Sequence, residues 1–132
     1  NSEFGGTAYA QYGSLFVAKV AVDSGKLDDA ATELKAIIAK PANPALGEIA
    51  RQRLAQVLGA QDKADEALKL LEGDADTAFL ATREELKGDL LVKLGRTDEA
   101  NTAYQKAKAA LSDEAAVGGL QIKLDDLAKG DA

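Results

Sequence analysis

The chain has 132 residues, a net charge of −6, and no cysteine, histidine, methionine or tryptophan. The absence of cysteine excludes disulfides and thiolate metal sites, and the absence of histidine removes the commonest general base and metal ligand. Acidic and basic residues are interspersed, and no basic stripe accompanies aromatic residues, so the composition also argues against nucleic-acid binding.

The first six residues, NSEFGG, are typical of a cloning remnant, because Glu-Phe is what a common restriction site encodes. We therefore exclude 1–6 from the fold prediction and expect 7–132 to form a single domain, a soluble piece of a longer protein. A domain of this length buries roughly two thirds of its unfolded surface. No apolar run approaches the ~18 residues that a membrane span needs.

Hydrophobic periodicity and helix-breaking residues predict seven helices, and the abundance of Ala and Leu favours an all-α fold. Pro41 ends the second helix, because proline disfavours helical geometry in the residue before it. Asn43 can cap the third helix and Ser112 the seventh. Gly118-Gly119 weakens the first half of the seventh helix. The predicted helices span 7–23, 27–40, 44–60, 63–72, 77–94, 98–111 and 113–128.

A ten-residue phrase occurs three times, and its alanine recurs after 37 and then 33 residues. A period near 34 is typical of the tetratricopeptide repeat, a helical hairpin that buries its apolar face only by stacking on its neighbours. The sequence therefore predicts a right-handed α-solenoid of three hairpins with a C-terminal capping helix. The copies are GKLDDAATEL at 25–34, DKADEALKLL at 62–71 and GRTDEANTAY at 95–104. The repeats span about 8–42, 44–75 and 77–111, and the capping helix about 113–128.

Aligning the repeats on their alanine reveals shared columns with structural roles. Two columns hold only small residues, which permit the two helices of a hairpin to cross closely. A third column fills the wider gap one turn further along, and a fourth holds residues that tolerate turn geometry. The small columns are Ala30, Ala67 and Ala100 with Ala18, Ala55 and Gly88; the large column is Leu34, Leu71 and Tyr104; the turn column is Gly25, Asp62 and Gly95.

Most of the chain, about 8–128, resembles the YfgM family, the ancillary subunits of the bacterial SecYEG translocon. The strings that carry the resemblance are TAYAQYGSLFVAKVAVDSGKLDDAATELKAII, ALGEIARQRLAQVL and REELKGDLLVKLGRTDEANTAYQKA. It implies a tetratricopeptide-like periplasmic domain of an inner-membrane protein with one N-terminal anchor. The implied partners are the translocon, a membrane-anchored periplasmic peptidyl-prolyl isomerase and newly exported chains. The resemblance supplies no catalytic residues.

In this repeat, the first helix of each hairpin lines the concave face, where partners bind. Apolar residues on that face would form a groove for apolar client segments. The alternative interpretation is that they pack against neighbouring helices as core. The predicted concave-face residues are Tyr12, Leu15, Lys19, Ile49, Gln52, Gln56, Glu85, Asp89 and Val92, and Val22 continues the same face.

Other site chemistries find little support in the sequence. The groove positions at which some of these domains bind a C-terminal carboxylate hold a single lysine, Lys19, and so provide no cationic cluster. Adjacent residues on a helix point about 100° apart, so paired carboxylates do not converge on one substrate atom, and a solvated face is the preferred interpretation. These pairs are Asp28/Asp29, Glu84/Glu85 and Asp125/Asp126.

We therefore predict a non-enzymatic protein–protein interaction module without a cofactor. With the resemblance included, it is the periplasmic domain of a chaperone-like, translocon-associated membrane protein that binds segments reversibly along its concave face. Three alternatives remain open at this point: a cytoplasmic tetratricopeptide adaptor, a homo-oligomerisation domain that pairs through an uncovered end or groove, and, as the least favoured, an enzyme.

Overall fold

The computed structural model describes residues 7–73, 76–111 and 114–131. This part of the chain contains seven α-helices and no β-strand, which confirms the predicted all-α fold. No described helix combines the length and the hydrophobicity that a membrane span requires. The expected cloning remnant at 1–6 and the predicted cap Ser112 lie outside the described residues. The helices are α1 (Ala8–Asp23), α2 (Leu27–Ala39), α3 (Pro44–Ala60), α4 (Ala64–Leu70), α5 (Thr77–Lys93), α6 (Thr97–Ala110) and α7 (Glu114–Asp131).

Local side-chain chemistry sets several helix ends. The Asn43 side chain accepts a hydrogen bond from the Leu46 amide at 2.9 Å, and Pro44 occupies the first turn of α3, as predicted. Thr7 caps α1 in the same way. Helix α4 ends earlier than predicted, because the Leu71 amide bonds to the Leu68 carbonyl in a tighter turn.

Three hairpin turns close with the same backbone geometry. The turn residue is left-handed in each, with φ of 78° at Gly25, 62° at Asp62 and 73° at Gly95. Glycine adopts this conformation at little cost, and aspartate tolerates it. The next amide then bonds back into the preceding helix, which satisfies a free carbonyl and reverses the chain. These bonds run from Lys26 to Ala21 (2.7 Å), from Lys63 to Leu58 (2.8 Å) and from Arg96 to Leu91 (2.9 Å).

The small-residue columns of the paired helices are buried. Ala30, Ala67 and Ala100 are fully buried, at 0 % exposure each, which confirms the prediction. The facing column is also buried, and at Gly88 an added Cβ would lie 2.3 Å from the Tyr104 ring. That position therefore excludes every residue except glycine unless the ring moves.

The chain divides into two compact units. Unit 1 runs to Leu71 and contains α1–α4; within it α2 packs against α1 and α3, and α3 packs against α1 and α4. The buried Gln11 side chain fastens α1 to the connection between α2 and α3. Its amide donates to the Lys40 carbonyl at 2.8 Å, and its oxygen accepts from the Ala42 amide at 2.8 Å.

Unit 2 starts at Glu72 and contains α5–α7. Helix α6 packs against both α5 and α7. Leu120 and Leu124 of α7 are buried, as expected for the apolar stripe of a capping helix. Gly118 and Gly119 remain within α7. The grouping of 7–132 into one domain with repeats at about 8–42, 44–75 and 77–111 stays a prediction.

Candidate protein-binding surfaces

The predicted concave-face residues lie on the first helix of each hairpin, α1, α3 and α5, but they differ in accessibility. Leu15 is only 5 % exposed and belongs to the core, as in the alternative interpretation. The exposed members are Tyr12, Lys19, Gln56 and Val92, and the half-buried members are Ile49, Gln52, Glu85 and Asp89.

Unit 1 contains a cavity of about 320 Å³ between α1, α2 and α3, which we call the α1–α3 cavity. Its floor is apolar, because Ala18, Leu34 and Val57 are buried core residues. Val22, which is partly exposed, borders it on α1. The complete lining is Ala18, Lys19, Val22, Leu27, Leu34, Arg53, Gln56, Val57 and Ala60.

Two cations line this cavity from different helices, Lys19 on α1 and Arg53 on α3. Both side chains are exposed, and neither has a hydrogen bond or ion pair with another residue in the described part of the chain. No acidic residue lines the cavity. The charged residues that line the α1–α3 cavity are therefore all cations, on a chain whose net charge is −6.

Lys19, Gln56 and Val22 of this lining were among the predicted concave-face residues, whereas Arg53 was missed. A signal was present in the sequence, because Arg53 precedes Gln56 by three residues and so shares its helix face. The unpaired state of Arg53 had no sequence signal, since it depends on which side chains the fold places nearby.

Unit 2 places a closed polar cluster on α5, which we call the Lys123 network. Lys123 of α7 donates to Glu85 at 2.6 Å and to the two carboxylate oxygens of Asp89 at 2.9 and 3.2 Å. The Tyr104 hydroxyl donates to Asp89 at 2.6 Å, and the Lys123 ammonium lies 5.7 Å from the centroid of the Tyr104 ring. The predicted binding residues Glu85 and Asp89 are thus already engaged within the chain.

Burial and hydrogen bonding perturb two groups of the Lys123 network. Burial of the Lys123 ammonium lowers its pKa, but hydrogen bonds and charge attraction from Glu85 and Asp89 outweigh burial, so the net pKa is raised. The pKa of Tyr104 is raised well above its usual range, mainly by burial and further by its hydrogen bond to Asp89. At neutral pH the tyrosine therefore remains a neutral donor and the lysine a cation.

A second cavity, of about 390 Å³, borders the Lys123 network in unit 2. Its charged groups are of both signs, since Asp89 and Asp126 lie beside Lys123. Val92 and Leu127 provide apolar walls. The charges of this cavity are largely committed to each other, unlike those of the α1–α3 cavity.

Helix α1 also carries an apolar strip on the face turned away from its core residues. Residues 9, 12, 16 and 20 follow one helical stripe, and Tyr9 and Phe16 are 80 % and 68 % exposed. Tyr12 and Val20 are exposed as well. We call this set the α1 strip. Exposed apolar residues grouped in this way are typical of interaction surfaces.

The acidic pairs lie mostly on solvated faces, as predicted, but Glu84 does not. Its side chain is buried at 7 % exposure, and its Oε2 atom has no hydrogen-bond partner among the described residues. The prediction was wrong there because a burial face on α5 includes residue 84, next to the buried Arg83. Within residues 7–73, 76–111 and 114–131, no three His, Cys, Asp or Glu side chains are grouped to hold a metal ion.

Comparison with known proteins identifies the family to which the chain belongs. The model of the tetratricopeptide repeat-like domain matches residues 1–129, nearly the whole chain. This match agrees with the paired helices, the repeated turns and the buried small-residue columns. It confirms the tetratricopeptide-like fold class predicted from the repeated phrase.

Curated relatives carry the name ancillary SecYEG translocon subunit. The protein of Neisseria gonorrhoeae (strain ATCC 700825 / FA 1090) is 31 % identical over 120 residues, which are 89 % of this chain and 57 % of the relative. The Escherichia coli (strain K12) protein is 28 % identical over 119 residues, 90 % of this chain and 58 % of the relative. The protein of Buchnera aphidicola subsp. Schizaphis graminum (strain Sg) is 27 % identical over 119 residues, 90 % of this chain and 61 % of the relative. The resemblance to the YfgM family is confirmed, and the chain spans about three fifths of the length of these relatives.

Proposed function

Because the chain belongs to the tetratricopeptide repeat-like domain family, we propose that it is a non-enzymatic module that binds segments of other proteins. The observation that carries this proposal is the α1–α3 cavity, which combines a buried apolar floor with exposed polar side chains on the helices predicted to bind partners. Its volume of about 320 Å³ lies at the lower end of the range of ligand pockets. It suits one or two side chains of a bound segment.

The names of the relatives support a role beside the Sec translocon. We propose that the module is the periplasmic domain of a chaperone-like inner-membrane protein. Its partners are then the SecYEG translocon, a membrane-anchored periplasmic peptidyl-prolyl isomerase and newly exported chains. Attachment to the membrane raises the effective concentration of such partners, so that weak and reversible binding suffices.

Site-specific photo-crosslinking in the full-length protein, in its native membrane, tests this function. A crosslinker at Gln56 borders the α1–α3 cavity, and one at Ala36, which is exposed on α2 and outside that cavity, is the matched control. We expect translocon subunits or newly exported chains to be captured from position 56 and not from position 36. Capture of cytosolic proteins alone would support a cytoplasmic adaptor instead, and equal or absent capture at both positions would contradict segment binding.

A second candidate function, self-association, is favoured by the α1 strip. Its largest members, Tyr9 and Phe16, expose most of their surface. Light scattering over a range of concentrations measures the mass. We expect Phe16→Ser to shift the equilibrium to the monomer, while Ile122→Ser, at an exposed apolar residue of α7, leaves it unchanged. A wild-type protein that stays monomeric at all concentrations removes this candidate.

A further inference from the structure

The charged residues around the α1–α3 cavity indicate which kind of protein segment it binds. Lys19 of α1 and Arg53 of α3 line the cavity together with the buried apolar residues Leu34 and Val57. A segment that places an apolar side chain against these buried residues brings its neighbouring residues close to the two cations. The chemistry of the rim therefore selects the residues that flank the apolar one.

The two rim cations are available to a ligand. In the described part of the chain, neither Lys19 nor Arg53 has an ion pair or hydrogen bond that a ligand would need to break. Lys123 of unit 2 provides the contrast, because its ammonium contacts Glu85 and Asp89 at 2.6 and 2.9 Å. A carboxylate that reaches the α1–α3 cavity therefore gains a partner without displacing one.

The net charge of −6 affects where an acidic segment can bind on this chain. The net negative charge disfavours the approach of an acidic segment to the chain as a whole, whereas the two rim cations attract a carboxylate within about a Debye length. No acidic residue in the cavity lining opposes this attraction. Gln56, on the same wall as Arg53, adds an amide that can bond to the backbone of a bound segment.

We propose that the α1–α3 cavity binds an extended peptide segment in which an apolar side chain is followed or preceded by an acidic side chain. The apolar group fills the cavity, and the carboxylate lies between Lys19 and Arg53. This inference rests on the proposed function, since it names the class of segment that the module accepts. The carboxylate in this proposal belongs to an acidic side chain and not to a chain terminus.

Fluorescence anisotropy with short labelled peptides tests the proposal. The probe holds Leu-Glu at the centre of a Gly/Ser sequence and has an amidated C-terminus; the matched peptides carry Leu-Gln or Ser-Glu. We expect the Leu-Gln peptide, which loses its contacts to both cations, to bind about four- to twenty-fivefold more weakly, because each exposed ion pair is worth about two- to fivefold. The Ser-Glu peptide should lose about tenfold or more, because it cannot bury an apolar side chain. Raising the salt from about 0.05 to 0.5 M should weaken only the glutamate peptides.

Protein variants assign the effect to the cavity. Arg53→Gln and Lys19→Gln should each weaken the Leu-Glu peptide about two- to fivefold and leave the Leu-Gln peptide nearly unchanged. Arg51→Gln is the matched control, since Arg51 is an exposed cation of the same helix that does not line the cavity. Circular dichroism and urea denaturation establish that the variants fold.

Each contrary result has a distinct meaning. If the Leu-Glu and Leu-Gln peptides bind alike and Arg53→Gln behaves as the wild type, the charge selection is refuted, while segment binding itself stands. If only a peptide with a free C-terminal carboxylate binds, the occupant is a chain terminus and the proposal is wrong. If no peptide binds, the inference also fails, and the crosslinking at position 56 decides the proposed function separately.

Discussion

The α1–α3 cavity and the Lys123 network occupy related helices in their two units, yet their charges are used in opposite ways. In unit 1, Lys19 and Arg53 border an apolar cavity without a partner in the described residues. In unit 2, Lys123 is held by Glu85 and Asp89, and Asp89 also accepts from Tyr104. The same repeat can thus leave charged side chains without partners among the described residues, as in unit 1, or pair them with each other, as in unit 2.

The difference starts at one residue of the hairpin core. The large column holds leucine at Leu34 and Leu71 in unit 1 but tyrosine at Tyr104 in unit 2. The larger ring requires glycine opposite it, and Gly88 stands where unit 1 has Ala18 and Ala55. The ring carries its hydroxyl to Asp89, so a core residue of unit 2 also takes part in the polar network at the surface.

The largest effect is expected for Gly88→Ala. This substitution gives unit 2 the alanine that unit 1 has in the same column. The new Cβ would lie 2.3 Å from Cε1 and 2.5 Å from Cδ1 of Tyr104, so the ring has to move. Overpacking of this kind costs about 1–3 kcal/mol, and the helix propensity of alanine returns about 1 kcal/mol. We expect a net loss of up to about 2 kcal/mol in the free energy of unfolding, measured by urea denaturation.

Two further variants separate the clash from other effects. Gly118→Ala is the matched control, because nothing lies within 4 Å of a Cβ at that helical position, and it should stabilise by up to about 1 kcal/mol. The double variant Gly88→Ala/Tyr104→Leu recreates the alanine–leucine pair of unit 1 and should recover most of the loss. A Gly88→Ala protein as stable as Gly118→Ala would contradict the packing argument.

The second effect is a loss of stability at alkaline pH that arises in unit 2. The folded-state pKa of Tyr104 is raised by burial and by its hydrogen bond to Asp89, and that of Lys123 is raised because its hydrogen bonds outweigh its burial. The folded protein therefore holds both protons more tightly than the unfolded chain, whose values are about 10 and 10.4. This stabilisation is complete below about pH 10 and is lost as the pH rises through the folded values.

Urea denaturation between neutral pH and about pH 11 measures this loss. The contribution of the buried Tyr104 should fall by up to about 1.4 kcal/mol per pH unit above pH 10. That of Lys123 is smaller, because 36 % of its side chain is exposed and its charge is screened by solvent. Tyr104→Phe removes the phenol, so its stability should decline less steeply than that of the wild type. Parallel declines would show that Tyr104 does not couple folding to pH.

The helical hairpins could be predicted from the sequence because their determinants are local or periodic. Ala30, Ala67 and Ala100 recur with the repeat, Asn43 precedes Pro44, and the turn residues Gly25 and Gly95 carry their own conformational signal. These features require no knowledge of which side chains meet across the fold. The helical type of each element and most helix ends could therefore be predicted from these features.

The candidate site was less predictable, because it depends on long-range pairing. Lys123 lies 34 residues after Asp89, and nothing in the sequence indicates that it closes over the two acidic residues predicted to bind partners. Leu15 shares a helix face with Lys19, and only packing decides that one is core and the other exposed. Glu84 was expected in solvent, although α5 buries it.

The smallest effect, and the most direct test of the comparison, comes from removing one cation in each unit. Lys123→Gln removes contacts to Glu85 and Asp89 and leaves these carboxylates close together, so we expect a loss of about 0.5–1 kcal/mol in the free energy of unfolding. Arg53→Gln has no such contact to lose, and its stability should stay within about 0.5 kcal/mol of the wild type.

The affinity for the Leu-Glu peptide should respond in the opposite way to stability, with the larger loss in Arg53→Gln. Arg53→Gln weakens it, whereas Lys123→Gln, which lies in the other unit and outside the α1–α3 cavity, leaves it unchanged. Urea denaturation and fluorescence anisotropy on the same two proteins give both readouts. If the two variants lose stability and affinity to the same degree, the proposed division is wrong. Lys123 would then not act only in the fold of unit 2, nor Arg53 only in binding the peptide.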